Sequence, residues 1–239
     1  QFGHSAHMDE LIEISKKYNI KIIEDNAESL GGKYKNKLLG TIGDIGTFSF
    51  FANKILTTGE GGALITDNEQ IASRARILRD HGMSKLKRYH HLELGYNYRM
   101  TNMQAAIGTA QIEKLDEILK IRKKQMELYY SEFRFIEGVE LRKFADWTSP
   151  VHWLMTLSIK DQKDTKKIIQ FMKNNGVELR PMINPVAHAE HFKDQFKKEK
   201  FTISEQVSKA FFHLPSGTNL TYKELKKITS LVKKFIENN

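Results

Sequence analysis

Residues 8–18, Met-Asp-Glu-Leu-Ile-Glu-Ile-Ser-Lys-Lys-Tyr, carry apolar side chains at helical spacing. Almost at once the pattern changes to the β-branched run Ile20-Lys21-Ile22-Ile23, which ends in Glu24-Asp25. A helix feeding directly into a short strand commits this part of the chain to a layered α/β architecture. In open α/β sheets ligands bind at the carboxyl ends of the strands, so Glu24-Asp25 is the first place to look for chemistry.

The rest of the chain continues in this style. Glycines at 31, 32, 40, 43 and 46 predict a loop or short hairpin over 33–46. Residues 47–51, Thr-Phe-Ser-Phe-Phe, read as a second buried strand, and 63–66 as another after the tight turn Thr57-Thr58-Gly59-Glu60-Gly61-Gly62. A helix over 68–79 takes its cap from Asp67 or Asn68. Residues 81–100 are irregular. Met103, Ala106, Ile107, Ala110, Leu115, Ile118 and Leu119 predict one long helix over 102–128. A second unit then reads as strand 153–159, helix 164–174, strand 177–180, a loop over 214–218 and a closing helix over 223–236. The boundary is placed inside the long helix, giving segments 1–122 and 123–239.

Composition narrows the function classes. The 239 residues include no cysteine, so disulfides, thiolate metal sites and thiol nucleophiles are excluded, which fits a cytoplasmic protein. The net charge is +9, from 38 basic and 29 acidic residues. The basic excess lies largely in lysine pairs such as Lys16-Lys17, Lys123-Lys124 and Lys226-Lys227, mostly in helix-like segments. That is the pattern of solvated helix faces, so a small diphosphate ligand is expected rather than nucleic acid. No apolar run reaches the roughly 18 residues of a membrane span. The start, Gln1-Phe2-Gly3-His4, is no signal peptide and reads as an internal beginning.

The strongest chemical constellation is Asp25, Ser49 and Lys54 among glycines. Pyridoxal phosphate (PLP) chemistry needs a lysine amine for the cofactor aldehyde and a carboxylate facing the pyridine nitrogen. It also needs hydroxyls and backbone N–H groups for the phosphate. Each part alone has a plainer reading: a surface lysine, a loop or cap aspartate, a glycine turn. Gly59-Glu60-Gly61-Gly62 is not a nucleotide P-loop, because the Gly-Lys-Ser/Thr order is absent. His188 and His191 stand three apart beside Glu190, but no metal is expected there.

Three stretches carry a family resemblance: Ile23-Glu24-Asp25-Asn26-Ala27-Glu28-Ser29-Leu30-Gly31, the run from Gly43-Asp44-Ile45-Gly46 through Lys54 to Gly62, and Gly95-Tyr96-Asn97-Tyr98-Arg99-Met100-Thr101-Asn102. In order and spacing they resemble the DegT/DnrJ/EryC1/StrS family of nucleotide-sugar aminotransferases, over residues 1–128 and more loosely to the end. The resemblance implies an α/β fold of the PLP-dependent aminotransferase type I class. That is part of a three-layer αβα large domain followed by a smaller C-terminal α+β domain.

It also implies roles. Lys54 resembles the Schiff-base lysine, Asp25 the pyridinium partner and Ser49 the phosphate-binding serine. Asn97 resembles the asparagine lent to the neighbouring subunit's cofactor, which implies a homodimer with shared active sites. Arg99 is expected at a substrate anion, Arg180 of Arg180-Pro181 near the nucleotide sugar, and His90 of Arg88-Tyr89-His90-His91 at the site entrance. Plainer readings stand beside two of them, since His90 is also read as part of a solvated loop and Pro185-Val186-Ala187-His188 departs from the family pattern after Arg180. Glu28 stands where many relatives have Gln, a cofactor-binding position near the ring hydroxyl or the sugar amine, and resembles the perosamine-synthase branch; its alternative is a helix-end charge.

Relatives that dehydrate sugars carry His in place of the cofactor lysine, so Lys54 implies transamination. The implied reaction moves an amino group from L-glutamate to a nucleotide-diphosphate 4-keto-6-deoxy sugar, giving a perosamine- or viosamine-type product. Family members also carry a segment before the one matching residue 1, and without it this polypeptide is expected to bind PLP poorly. The competing classes are a non-catalytic relative and a salt-sensitive DNA binder.

Overall fold

A computed structural model describes residues 1–159 and 164–238. The chain divides into two compact units, Gln1–Lys120 with Phe144–Trp153, and Ile121–Lys143 with Leu154–Asn239. The division near 120 falls inside a helix. However, Phe144–Trp153 returns to the first unit, whereas a single boundary at 122 assigns it to the second.

The first unit opens with α1 (Met8–Tyr18), which stops at Asn19 in the left-handed conformation, φ 51°, a common helix terminator. Strand β1 (Ile23–Asp25) pairs in parallel with β4 (Ile45–Ser49), and β5 (Gly62–Ile65) pairs antiparallel with β4. The sheet order is β1-β4-β5. The glycine-rich stretch forms the hairpin β2 (Lys33–Tyr34) and β3 (Lys37–Leu38), and β7 (Thr148–Ser149) adds to it from the returning segment. Gly46 is required where β4 passes the loop: a Cβ there would sit 2.2 Å from the Gly40 carbonyl oxygen.

Helix α2 (Glu69–Leu78) is capped by the Asn68 side chain, which accepts from Ile71 N–H at 3.0 Å. The long helix expected over 102–128 is two helices, α3 (Asn102–Ile112) and α4 (Leu115–Phe133). The apolar periodicity runs through the break, so it carried no sequence signal.

The second unit is a four-stranded antiparallel sheet, β6 (Val139–Leu141), β8 (Met155–Ile159), β10 (Phe211–Leu214) and β9 (Arg180–Pro181), in the order β6-β8-β10-β9. All five residues of β8 are buried, as in a strand covered on both faces. The end of α4, α5 (Asp164–Asn174), α6 (Thr202–Ala210) and α7 (Tyr222–Glu237) complete the unit. Tyr129, Phe133, Leu157, Ile168, Met172, Phe212 and Val232 form its fully buried centre. Each such apolar side chain contributes about 1.5–3 kcal/mol. Glu132 on α4 is held by Lys226 and Lys233 on α7, both at 2.6 Å. Among the described residues no helix is long and apolar enough to cross a membrane.

Candidate functional site

Alternation along the paired strands builds the site. Asp25 lies opposite Thr47 in the parallel register, and Ser49 follows two residues along β4. Asp25, Thr47 and Ser49 therefore share one face of the sheet, while Glu24, Gly46 and Phe48 take the other. That first face is open. Asp25 is exposed and Ile23 is 64% exposed, so Asp25 does not close a strand buried on both faces. The buried acid is its neighbour Glu24, whose carboxylate accepts from the N–H groups of Gly40, Ile42 and Gly43 at 2.7–2.8 Å. Sequence reasoning missed this role because the donors are backbone amides, which only the glycine cluster hints at.

On the open face, Asp25 Oδ1 accepts from Ala27 N–H at 3.1 Å, which fixes the carboxylate's direction. Ser49 Oγ accepts from Phe51 N–H at 3.3 Å and keeps its own proton for another acceptor. Beyond the strand, Lys54 N–H donates to the Phe51 carbonyl at 3.0 Å, so the lysine follows β4 on a tight turn. Its side chain is only 15% exposed, and Nζ lies 3.6 Å from Glu28 Oε1. Glu28 sits in a turn and not at a helix end. Thr57 and Thr58 serve their own loop. Thr57 Oγ1 donates to the Phe50 carbonyl and accepts from Gly59 N–H, and Thr58 Oγ1 donates to the Glu60 carbonyl.

The structure thus brings Lys54 and Glu28 together, and puts Asp25 and Ser49 on one face. Asn97 and Arg99 lie elsewhere in the first unit, on a groove of about 1070 Å³ whose lining includes Phe48, Leu64, Arg76 and Arg79. Arg99 Nη1 is 3.4 Å from Asp80 Oδ2, and Asn97 bridges Asp80 through the backbone. His90 is exposed, and its carbonyl accepts from Ser84 N–H in the 84–90 loop. Arg180 is exposed on β9 of the second unit. His188 Nε2 lies 3.2 Å from Glu205 Oε1, and among the described residues no three His, Asp or Glu side chains gather as a metal site.

An amine, a directed carboxylate and a strand-end hydroxyl form a donor set that fits PLP: aldehyde, pyridine nitrogen and phosphate each find a matching group. Residues 1–233 match the DegT/DnrJ/EryC1/StrS aminotransferase family. The chain belongs to that family. GDP-perosamine synthase of Escherichia coli O157:H7 is 31% identical over 98% of this chain and 63% of its own length. GDP-perosamine synthase of Caulobacter vibrioides is 34% identical over 95% of this chain and 62% of its own. Among solved structures, DesV of S. venezuelae superposes with a TM-score of 0.89 at 27% identity, over 99% of this chain and 63% of that one. The family is PLP-dependent, and its sugar aminotransferases share this fold. The chain spans a little under two thirds of the length of these relatives.

Proposed function

We propose that this chain carries the cofactor lysine of a PLP-dependent sugar aminotransferase, and that Lys54 is that lysine. The observation that carries the reading is the little-exposed Lys54 amine, 3.6 Å from Glu28, just past β4, which bears Ser49 and pairs with β1 so that Asp25 lies opposite Thr47. Bound PLP supplies an electron sink that lets an amino group leave one carbon and join another.

The chain's own groups do the rest. Lys54 would hold the cofactor through its aldehyde and, when its amine is free, would move a proton from the substrate carbon to the cofactor carbon, as a general base and acid. The Asp25 carboxylate would hold the ring nitrogen and keep it protonated. The Ser49 hydroxyl would donate to the phosphate. Glu28 stands 3.6 Å from the lysine ammonium as its ion-pair partner and orients it. Asn97 serves the neighbouring subunit's phosphate in a homodimer, and Arg99 meets a substrate anion with His90 at the entrance; Arg180, in the second unit, is assigned to the nucleotide sugar. L-Glutamate is the donor, and a nucleotide-linked 4-keto-6-deoxy sugar the acceptor. The GDP-perosamine synthases among the relatives support a 4-amino-4,6-dideoxy product, with a guanosine nucleotide as the first substrate to try.

The test incubates the complete gene product with PLP, glutamate and a panel of 4-keto sugar nucleotides, and reads amino-sugar product by mass. Product that forms and is lost in Lys54→Ala is expected. Product that survives Lys54→Ala overturns the assignment.

A further inference from the structure

We infer that Trp153 is a positioning residue for Lys54, holding the lysine where it captures the cofactor. This rests on the reading of Lys54 above. Trp153 is 1% exposed, and it engages two consecutive residues. Its Nε1–H donates to the Asn53 carbonyl at 2.6 Å, pinning the peptide that enters Lys54. The face of the same indole lies under Lys54 Nζ, 4.2 Å from the ring centroid. One side chain therefore fixes both the backbone root and the charged tip of the lysine. An aliphatic core residue would fill the volume and do neither.

The surroundings hold the indole in turn. Phe2 stacks against it with centroids 6.0 Å apart and planes 18° apart. Phe2 adopts φ 52°, a region bulky residues rarely enter. Its N–H donates to Glu28 Oε2 at 2.6 Å, while Glu28 Oε1 faces Lys54 Nζ. Phe2 thus braces both Trp153 and Glu28, the two groups that meet the lysine amine. Attraction of a cation to an indole face is directional, and it narrows the arc swept by a flexible four-carbon stem. Capture of the aldehyde needs the neutral amine, so the ammonium first gives its proton to solvent or to the Glu28 carboxylate 3.6 Å away; the narrowed arc then speeds bond formation, with water leaving, by presenting the nitrogen in a reactive position.

The test uses the complete gene product and follows the visible absorbance band of covalently held PLP, without needing turnover. The band should form about tenfold more slowly in Trp153→Leu and within about twofold of the parent rate in Trp153→Phe, which keeps a ring face. The emission of Trp153, obtained by subtracting the spectrum of Trp153→Phe, should fall as the band appears and stay unchanged in Lys54→Ala. This second measurement decides the matter even if Trp153→Leu does not fold. A band that requires Lys54 but forms at the parent rate in folded Trp153→Leu, or leaves Trp153 emission unchanged, overturns the positioning role alone. A band that persists in Lys54→Ala removes the reading of Lys54 and this inference with it.

Discussion

At the scale of single residues, two neighbouring acids have opposite fates because β1 alternates between faces. Glu24 turns inward to the amides of Gly40, Ile42 and Gly43, and Asp25 turns outward. Removing the inward acceptor leaves buried donors unpaired, so Glu24→Ala should lower stability by about 3 kcal/mol, read by urea denaturation. Glu24→Gln keeps one acceptor oxygen and should lose less. His213 gives a pH signature in the second unit. It is buried against Thr156 Oγ1 at 2.9 Å, and burial first, then the charges of Arg180 and Arg142, push its pKa down from 6.5 to about 4. The unfolded chain binds this proton near 6.5 and the folded chain resists it until about 4. The stabilisation is therefore full above 6.5 and is lost as pH falls through that window. A loss of about 3 kcal/mol is expected, measured by denaturation at several pH values, and His213→Leu should remove that slope. In the sequence Asp25, Ser49 and Lys54 stood out as candidates only together and through the family resemblance, since each alone has a plainer reading. The sequence hid Glu24 and His213, whose partners are amides or side chains far along the chain.

At the scale of elements, periodicity located most helices to within a few residues because each has an apolar stripe, as in α1 and α7. It failed where tertiary contacts decide. The break between α3 and α4 falls at Glu113-Lys114, with neither Gly nor Pro to announce it. Gln111 and Gln104 of α3 are tied to the 57–60 loop, through Thr57 N–H to Gln111 Oε1 and Gln104 Nε2 to the Glu60 carbonyl. β9 has only two residues and β10 four, too short for alternation to speak. Caps, by contrast, are local. Thr221 Oγ1 accepts from Glu224 N–H and Glu224 Oε2 accepts from Thr221 N–H, at 3.3 and 2.8 Å, a reciprocal pair starting α7. Thr221→Ala should cost about 1 kcal/mol, seen as a lower thermal midpoint.

At the scale of the whole molecule, the layered α/β class was legible because helix and strand patterns alternate from the first residues. The discontinuous first unit was not, since β7 is only Thr148–Ser149 and its pairing with β2 leaves no trace in composition. The second unit has its own centre, so a cavity there should act locally. Phe212→Ala should destabilise it by about 3–5 kcal/mol. Hydrogen exchange should quicken across β6, β8, β9 and β10 while β1 and β4 keep their protection.

The returning stretch Phe144–Trp153 makes the chain pass between units after Lys120, after Lys143 and again after Trp153. A recombination event with a single crossover near the middle therefore cannot graft a relative's tail cleanly. It would bring a foreign indole, or none, to the amine at position 54, so hybrids of these enzymes should inherit that contact from the donor of the latter half.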